Sequence, residues 1–365
     1  IRLGELCRSH RVGLGVHIAI ALGMASALGI FLITGGNFDV VLAMLGSTAY
    51  ESLRGYEFAV IPLFMLMGEF IGKSGAVTDV YQAIHRGLKR IPGRLAIATL
   101  LGNAIFSFVT GVSIASAAAF SRIAYPEMKR FGYHRGFALG TIAGSSCLGM
   151  LIPPSVLMIV WGLLTERSIG QIFLAGVLPG LLLVSLFVAY VLAVALLRPE
   201  LVGTRKDKAV PEAEPKAPES LSSAPKVWGS ALGIIFVIVA VLGGIWFGVF
   251  TPTEGAGAGA FIGLIMAIAK GMRTKEIVDA ILSVGRTSAP ILLLLVSASL
   301  YSRTLAMTGV STAIQDTFLG ADMLPWMILA AMVGVWFLLG MVIDSISIML
   351  LTVTIFEPIA VNLGY

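Results

Sequence analysis

Residues 95–121 read LAIATLLGNAIFSFVTGVSIASAAAFS, and this stretch decides the fold because it is apolar while basic residues flank both of its ends. The flanking basic residues lie at Arg86–Arg94 and Arg122–Arg135. Basic flanks face the cytoplasm under the positive-inside rule, so both ends lie on one side of a membrane. The stretch is longer than one straight span needs and too short to form two. We therefore predict a re-entrant helical hairpin whose tip is Thr110–Ser113.

The composition of the whole chain is typical of a helical membrane protein. Of the 365 residues, 57% are hydrophobic and 12% are charged, whereas soluble domains carry about 25% charged residues. These values exclude a water-soluble globular enzyme and, except locally, intrinsic disorder. The basic residues form five clusters that we assign, with the N-terminus, to the cytoplasm. These clusters are Arg2–Arg11, Lys73–Arg94, Arg122–Arg135, Arg198–Lys226 and Lys270–Arg286.

Apolar segments of nearly membrane-spanning length connect the basic clusters. The predicted spans are Val12–Thr34, Tyr56–Gly72, Gly136–Leu164, Gln171–Leu197, Val227–Phe250, Gly255–Ala269 and Ser288–Met307. A further apolar segment, Pro325–Phe356, has acidic flanks, and no Lys or Arg follows Arg303. Both of its ends therefore face outward, and its polar centre Gly340–Ser345 predicts a second re-entrant hairpin from the periplasmic side.

The two hairpins correspond in sequence, which predicts an internal repeat. Ser113 aligns with Ser345 at an offset of 232, the difference between their numbers. The same offset pairs Pro126 with Pro358 and Gly132-Tyr133 with Gly364-Tyr365, while Ser74-Gly75 resembles Thr308-Gly309 at an offset of 234. With the reversed charge bias, this indicates an inverted-topology repeat, which is characteristic of secondary transporters.

The repeat divides the chain into two halves. We predict a first half at residues 1–197, a flexible cytoplasmic linker rich in Pro, Glu and Lys at 198–226, and a second half at 227–365. The partner of the broken span 136–164 is expected at the same offset further along the chain. Because it is absent, we expect the second half to be incomplete and the chain to be part of a longer protein.

The broken span offers the first set of candidate binding residues. Pro153 and Pro154 lack N–H donors, so carbonyl groups one turn earlier lose their partners. In lipid, those carbonyls need another partner. A bound cation is one candidate partner, with the hydroxyls of Ser145, Ser146 and Ser155 nearby. The alternative is a plain proline kink between packed helices.

The tip of the first hairpin offers a second set. Thr110, Gly111, Ser113 and Ser116 provide backbone carbonyls, hydroxyls and the N-terminus of a half-helix. Carbonyl oxygens suit Na⁺, and the positive end of a helix suits a carboxylate. The alternative is a run of small residues that allows close helix packing.

Acidic residues define two further candidates. Asp344 is an ionisable residue within the second hairpin, where it would bind a cation, carry a proton or pair with a basic residue. Its alternative role is the N-cap of a helix that starts at Ser345. At Thr251–Glu254, helix capping explains the motif, and a direct substrate role for Thr253 and Glu254 is the less favoured alternative.

Motifs of other chemistries are missing from the sequence. It contains no Walker A sequence, no His-Glu-x-x-His helix and no Gly-x-Ser-x-Gly elbow, so neither ATP hydrolysis nor enzymatic catalysis is indicated. The four histidines are scattered, and nothing suggests an organic cofactor or a nucleic-acid partner. Between the spans, Lys73–Arg94 predicts an amphipathic cytoplasmic helix, and Glu69 is placed to pair with Lys73.

Five stretches together resemble the large membrane subunit of tripartite ATP-independent periplasmic (TRAP) transporters, and the resemblance covers nearly the whole chain. They are Ser146–Ser155, Ser168–Gly180, Ala124–Tyr133, Phe250–Glu254 and Gly340–Asp344. The resemblance implies an elevator-type transporter in the inner membrane of a bacterium or archaeon. It also implies Na⁺-driven uptake of an organic acid, such as a C4-dicarboxylate or sialic acid. The implied partners are a small membrane subunit and a periplasmic substrate-binding protein.

The resemblance implies that specific residues of this chain bind the ion or the substrate. They are Gly111, Ser113, Ser116, Ser145, Ser146, Gly149, Pro153, Pro154, Ser155, Asp344 and Ser345, with Na⁺ expected among Ser113, Ser145, Ser146, Asp344 and Ser345. The family's second Pro-Pro span is missing, which would remove half of the expected cation site. A stand-alone ion-coupled anion carrier and a non-transporting membrane scaffold fragment remain alternatives.

Overall fold

The computed structural model describes residues 17–88, 91–203, 224–320 and 324–365. Within them the regular secondary structure is helical, apart from one isolated β-bridge between Tyr133 and Val202. The first ten α-helices are α1 (Ile18–Ile33), α2 (Phe38–Arg54), α3 (Val60–Lys73), α4 (Ala76–Gly87), α5 (Arg94–Thr110), α6 (Ser113–Arg130), α7 (Arg135–Ser146), α8 (Leu148–Leu151), α9 (Val156–Leu164) and α10 (Ile169–Leu197). The remaining six are α11 (Ala224–Trp246), α12 (Pro252–Ala269), α13 (Thr274–Thr308), α14 (Val310–Leu319), α15 (Pro325–Gly340) and α16 (Ser345–Asn362). Short 3₁₀ turns lie at Tyr56–Ala59 and Pro199–Leu201.

Parts of the sequence-based predictions lie outside the described residues. These parts are the basic cluster Arg2–Arg11, the start of the span Val12–Thr34, residues 89–90 of the second cluster, and residues 204–223 of the linker.

The helices confirm a polytopic membrane protein. Six helical stretches of the described chain are long and apolar enough to cross a membrane. They are 135–164, Ile169–Leu197, Gly229–Trp246, Pro252–Ala269, Thr274–Thr308 and Ser345–Asn362. The two helical stretches Phe38–Arg54 and Tyr56–Lys73 also qualify when they are taken together as one span. The predicted spans between residues 136 and 307 are therefore confirmed as apolar helices.

Two helices were missed by the sequence analysis. Both α2 and α14 lie between the predicted apolar segments, because α2 contains several charged residues and α14 has only 10 residues. The charged residues Asp39, Glu51 and Arg54 interrupt the apolar pattern of α2, and Asp316 lies in α14. The predicted amphipathic helix is confirmed as α4, which buries Val77, Val80 and Tyr81 on one face.

Helix boundaries follow the same offsets as the sequence repeat. Both α6 and α16 have 18 residues, and their first and last residues differ by 232. Each contains an internal proline, and the glycine two residues beyond each helix has a positive φ, 75° at Gly132 and 85° at Gly364. Upstream, left-handed glycines precede α4 and α14.

The first compact unit comprises Ile1–Phe58, Val160–Arg167 and Arg286–Tyr365. Ile30, Val41 and Leu300 form one small core, and Ile328, Met332, Phe356 and Ile359 form another. An indole hydrogen bond from Trp336 Nε1 to Thr352 Oγ1 (2.8 Å) joins α15 to α16. The two helices of the predicted second hairpin therefore pack against each other.

The second compact unit comprises Ala59–Ile159 and Ser168–Gly285. One of its hydrophobic cores joins α4–α7 with α10. On α12, small residues at four-residue spacing allow close packing against α3. A Cβ atom on Gly259 would lie 2.6 Å from Met67 Sδ, so a larger residue at this crossing would require the Met67 side chain to move.

A buried polar cluster fixes α4 in the second unit. Ser230 Oγ on α11 donates to Asp79 Oδ2 (2.7 Å), and Lys270 Nζ at the end of α12 donates to Ser230 Oγ (2.7 Å) and to the Asp79 carboxylate. The Asp79 and Lys270 side chains are 10% and 24% exposed. By contrast, the predicted pair between Glu69 and Lys73 (3.0 Å) is confirmed and is about one-third exposed.

We predict that Asp79→Ala destabilises the protein by about 1–3 kcal/mol, because it leaves the Lys270 ammonium largely buried without its carboxylate. Thermal unfolding in detergent measures the change. Glu69→Ala is the matched control, since loss of an exposed i,i+4 pair costs only about 0.5 kcal/mol. Equal losses of Tm for the two variants would contradict a structural role for the cluster.

Candidate functional site

The tip of the first hairpin is a two-residue interruption between α5 and α6. Gly111 adopts a left-handed conformation (φ 60°) and its N–H donates to Ser107 O (3.0 Å), while Val112 is extended. The carbonyl groups of residues 108–110 follow the last intrahelical acceptor, as expected at a helix C-terminus. The predicted polar break is thus confirmed as a helix–turn–helix.

The second interruption lies between α8 and α9. Pro153 and Pro154, joined by a cis peptide bond, lack the N–H groups that would serve the carbonyls of Gly149 and Met150. The Ser155 hydroxyl donates to Met150 O (2.8 Å) and replaces one of the missing donors. The predicted loss of carbonyl partners is therefore compensated at Met150 by a side chain of the break itself.

The two interruptions lie against each other within the second unit. Val156 N–H, which begins α9, donates to Gly111 O (3.2 Å), and a Cβ atom on Gly111 would lie 2.5 Å from Pro154 O. A Cβ atom on Gly149 would lie 3.3 Å from Ser113 N. The site therefore brings together the ends of four helices, α5, α6, α8 and α9.

The N-terminus of α6 has no side-chain cap. Val112 occupies the N-cap position and supplies no hydrogen-bond acceptor to the first turn, where Ser113 is buried. Uncapped N–H groups and the helix dipole make this end partially positive. The arrangement suits a carboxylate or another oxygen ligand at Ser113.

Asn103, which the sequence analysis missed, connects three helices beneath the tip. Ser116 Oγ on α6 donates to Asn103 Oδ1 (2.6 Å), and Asn103 Nδ2 donates to Ser145 Oγ on α7 (2.6 Å). All three side chains are buried. The only signal in the sequence was a carboxamide within an apolar hairpin. Its partners are 13 and 42 residues away, so no local pattern reveals them.

Ser146, another serine of the predicted site, forms a hydrogen bond within its own helix. Ser146 Oγ donates to Ala143 O (2.7 Å) within α7. In Ser116, Ser145, Ser146 and Ser155, the hydroxyl hydrogen is engaged, while oxygen lone pairs remain. The structure thus brings together Gly111, Ser113, Gly149 and Pro153–Ser155 at the two breaks, with Ser116 and Ser145 below them.

Asp344 and Ser345 lie at the corresponding turn of the first unit. Asp344 is the N-cap of α16 and accepts hydrogen bonds from Ser347 N (3.1 Å) and Ser347 Oγ (2.5 Å). The capping alternative is therefore confirmed. Ser345 is the first residue of α16, and both side chains are half-buried.

Helix capping also accounts for the motif at Thr251–Glu254. Thr251 and Glu254 form a reciprocal capping box at the start of α12, with Pro252 in the first turn. Thr253 takes no part in the box. The helix capping predicted for this motif is confirmed, and the carboxylate of Glu254 accepts hydrogen bonds from the Thr251 N–H and hydroxyl.

The carbonyl and hydroxyl oxygens at the two breaks are the ligands that hard cations prefer. Among the described residues, no group of three or more His, Cys, Asp or Glu residues is placed to hold a metal ion. Carbonyl and hydroxyl oxygens, which are the polar groups at the breaks, prefer hard cations over transition metals. The chemistry of the donors therefore fits Na⁺.

Comparisons with known proteins identify a matching family and several relatives. Residues 12–365 match the family model described as the tripartite ATP-independent periplasmic transporter, DctM component. The C4-dicarboxylate TRAP transporter large permease protein DctM of Pseudomonas aeruginosa is 32% identical, over 94% of this chain and 77% of that protein. Its counterpart in Rhodobacter capsulatus is 28% identical, over 96% and 79%. The isethionate TRAP transporter permease protein DctMQ of Oleidesulfovibrio alaskensis is 28% identical, over 96% and 53%.

We predict that Gly111→Ala destabilises the second unit by about 1–3 kcal/mol more than Gly75→Ala, because its Cβ atom overlaps Pro154 O. Gly75 is the matched control: it has a similar positive φ (78°) but open space around a Cβ atom. Both variants introduce the same left-handed strain. Thermal unfolding in detergent separates the steric contribution, and equal Tm values for the two variants would refute the close contact.

We also predict that Asn103→Ala lowers stability by about 1–3 kcal/mol, because two buried hydroxyl partners lose their hydrogen bonds. Ser107→Ala is the control, since Ser107 Oγ bonds only within α5, to Asn103 O (2.6 Å). Limited proteolysis at the tip, followed by mass spectrometry, reports whether the hairpin detaches. A stability and cleavage pattern equal to that of Ser107→Ala would exclude Asn103 as the connecting residue.

Proposed function

This chain belongs to the DctM component family of the TRAP transporters, and we propose that it couples the entry of Na⁺ to the uptake of a small organic acid. The family consists of transporter components and not enzymes. The observation that carries the proposal is the contact between the two helix interruptions, at Gly111 and Pro154. Interrupted helices that meet within a membrane are the usual location of ion and substrate sites in secondary transporters.

The proposed architecture is an inverted-topology repeat with two re-entrant hairpins and an elevator-type movement. It is supported by the boundaries of α6 and α16, which obey the same offset as the sequence repeat, and by the opposite charge of the hairpin flanks. Under this proposal, α5 and α6 enter from the cytoplasmic side and α15 and α16 from the periplasmic side. The protein then lies in the inner membrane with a cytoplasmic N-terminus.

Na⁺ is proposed as a transported substrate at the two breaks of the second unit. The candidate ligands are the carbonyl groups at the end of α5, the Gly149 carbonyl and the hydroxyls of Ser113 and Ser155. In the first unit, Asp344 supplies the one carboxylate among the candidates, and we propose it as the ligand of a separate Na⁺ at its own turn. Each Na⁺ that crosses a potential of 100 mV contributes about 2.3 kcal/mol to uptake. Two ions would therefore support strong accumulation of an anion.

The organic acid is proposed to bind near the N-terminus of α6. The uncapped N–H groups beside Ser113 attract a carboxylate, and no arginine lies at either tip. Two of the relatives described above are named for C4-dicarboxylates, which supports a substrate of that class. A small membrane subunit and a periplasmic substrate-binding protein are the proposed partners.

We predict that full-length protein in liposomes takes up a C4-dicarboxylate only with an inward Na⁺ gradient, the small subunit and the binding protein. Omission of each component in turn tests each dependence. Uptake without the binding protein would favour a stand-alone anion carrier. No uptake of any organic acid, together with no effect of Na⁺ on thermal stability, would favour a non-transporting scaffold.

The substitution Asp344→Asn removes the negative charge of this residue but keeps its role as the N-cap of α16. Asparagine caps helices as well as aspartate does, so the hydrogen bond from Ser347 N is retained while the negative charge is lost. We predict that the Na⁺ concentration for half-maximal uptake rises about tenfold or more, because a carboxylate near the cation is lost. Glu254→Gln is the control, since it removes a carboxylate from another helix N-terminus. An equal change in both variants would exclude Asp344 as a Na⁺ ligand.

A further inference from the structure

A cavity of about 200 Å³ lies in the second unit between α5, α7 and α10. Gly136, Gly140 and Gly144 form one wall, at successive turns of α7, and Phe187 and Val191 on α10 form the opposite wall. A Cβ atom on Gly140 would meet nothing within 4 Å. The lining side chains are apolar apart from the hydroxyls of Thr141, Ser145 and Tyr190, and Thr141 Oγ1 donates to Phe137 O (2.8 Å). The cavity therefore suits a hydrocarbon chain.

The three helices that line the cavity each carry an arginine at the same end. Arg94 is the first residue of α5, Arg135 is the first residue of α7, and Arg198 is the C-cap of α10. Two hydrogen bonds hold these ends together. Leu95 N–H donates to Tyr133 Oη (3.3 Å), and His134 N–H donates to Leu201 O (3.0 Å).

These arginines form a positive rim that faces solvent. Arg135 and Arg198 are exposed, and the ion pairs found within the described residues involve neither of them. The Arg94 guanidinium lies 5.3 Å from the centre of the Phe131 ring. Glu127 and Glu200 are the acidic residues in the neighbouring turns, and Lys129 lies beside Glu127, so the rim keeps a net positive charge.

The distance from rim to cavity matches that from a lipid head group to its acyl chains. Gly140 is five residues from Arg135, Leu100 is six from Arg94 and Val191 is seven from Arg198. At 1.5 Å per helical residue, these separations are about 7–11 Å. A molecule with an anionic head and an apolar tail would place both parts on complementary surfaces.

We propose that this cavity and the three arginines beside it bind an anionic glycerophospholipid. Its phosphate lies at Arg94, Arg135 and Arg198, and one acyl chain lies along the glycine wall of α7. Basic pockets between membrane helices on the cytoplasmic side bind anionic head groups in this way. The leaflet follows from the topology of the proposed function, while the binding itself does not depend on transport. A water-soluble anion would gain nothing from the apolar cavity.

Native mass spectrometry of the full-length protein, purified in detergent with equal amounts of phosphatidylglycerol and phosphatidylcholine, tests the proposal. We expect the wild type to retain phosphatidylglycerol preferentially. R135Q/R198Q should lose about fivefold in retention for each arginine removed. R273Q/K275Q is the matched control, since it removes two exposed cations from a different basic cluster. Equal retention in the two double variants, or equal retention of both lipids by the wild type, would overturn the proposal.

Filling the cavity provides an independent test of the acyl-chain site. Gly140→Leu should reduce the retained phosphatidylglycerol at least fivefold. Gly285→Leu, at another exposed helical glycine with open space around a Cβ atom, should leave it unchanged. Tm values close to the wild-type value establish that the variants fold. If Gly140→Leu instead keeps the lipid but no longer copurifies with the small subunit, the cavity is part of a protein interface and the lipid proposal fails.

Discussion

Backbone hydrogen bonding is the constraint on which the second unit depends, because lipid offers no water to an interrupted helix. The structure meets this constraint by placing one interruption against the other. The Gly111 carbonyl at the end of α5 accepts the Val156 N–H at the start of α9, and the Ser155 hydroxyl serves Met150 O. This close approach leaves no room for a side chain at Gly111. Each break is therefore stable in its observed form because the other break lies beside it.

The hairpin and the broken span are joined at a second level as well. Asn103 lies eight residues before Gly111, which is about 12 Å along α5. There it bonds to Ser116 on α6 and to Ser145 on α7. Ala104, Leu148 and Ile152 form an apolar core between these two levels. Two hydrogen-bonded contacts with a packed core between them therefore fix the hairpin on the broken span.

The sequence predicted those parts of the fold that have a local cause. Apolar runs predicted the long helices, glycine and proline marked the interruptions at Gly111 and Pro153-Pro154, and Asp344 was recognised as a possible N-cap. The sequence did not reveal two helices or the contacts between residues that lie far apart in the chain. Neither α2 nor α14 has the composition of a span, although each forms a regular helix. The cluster of Asp79, Ser230 and Lys270 joins residues up to 191 positions apart, and no local pattern indicates it.

The two hairpin turns occupy equivalent positions in the repeat but differ in their electrostatics. Val112 corresponds to Asp344 in the repeat, and each is the N-cap of an 18-residue helix. Valine leaves the positive end of α6 without an acceptor, whereas the Asp344 carboxylate accepts hydrogen bonds at the start of α16. The N-terminus of α6 at the first turn therefore favours an anion, whereas the Asp344 carboxylate at the second turn favours a cation. The difference between Val112 and Asp344 thus gives the two corresponding turns opposite electrostatic preferences, which supports the proposed co-transport of a carboxylate with Na⁺.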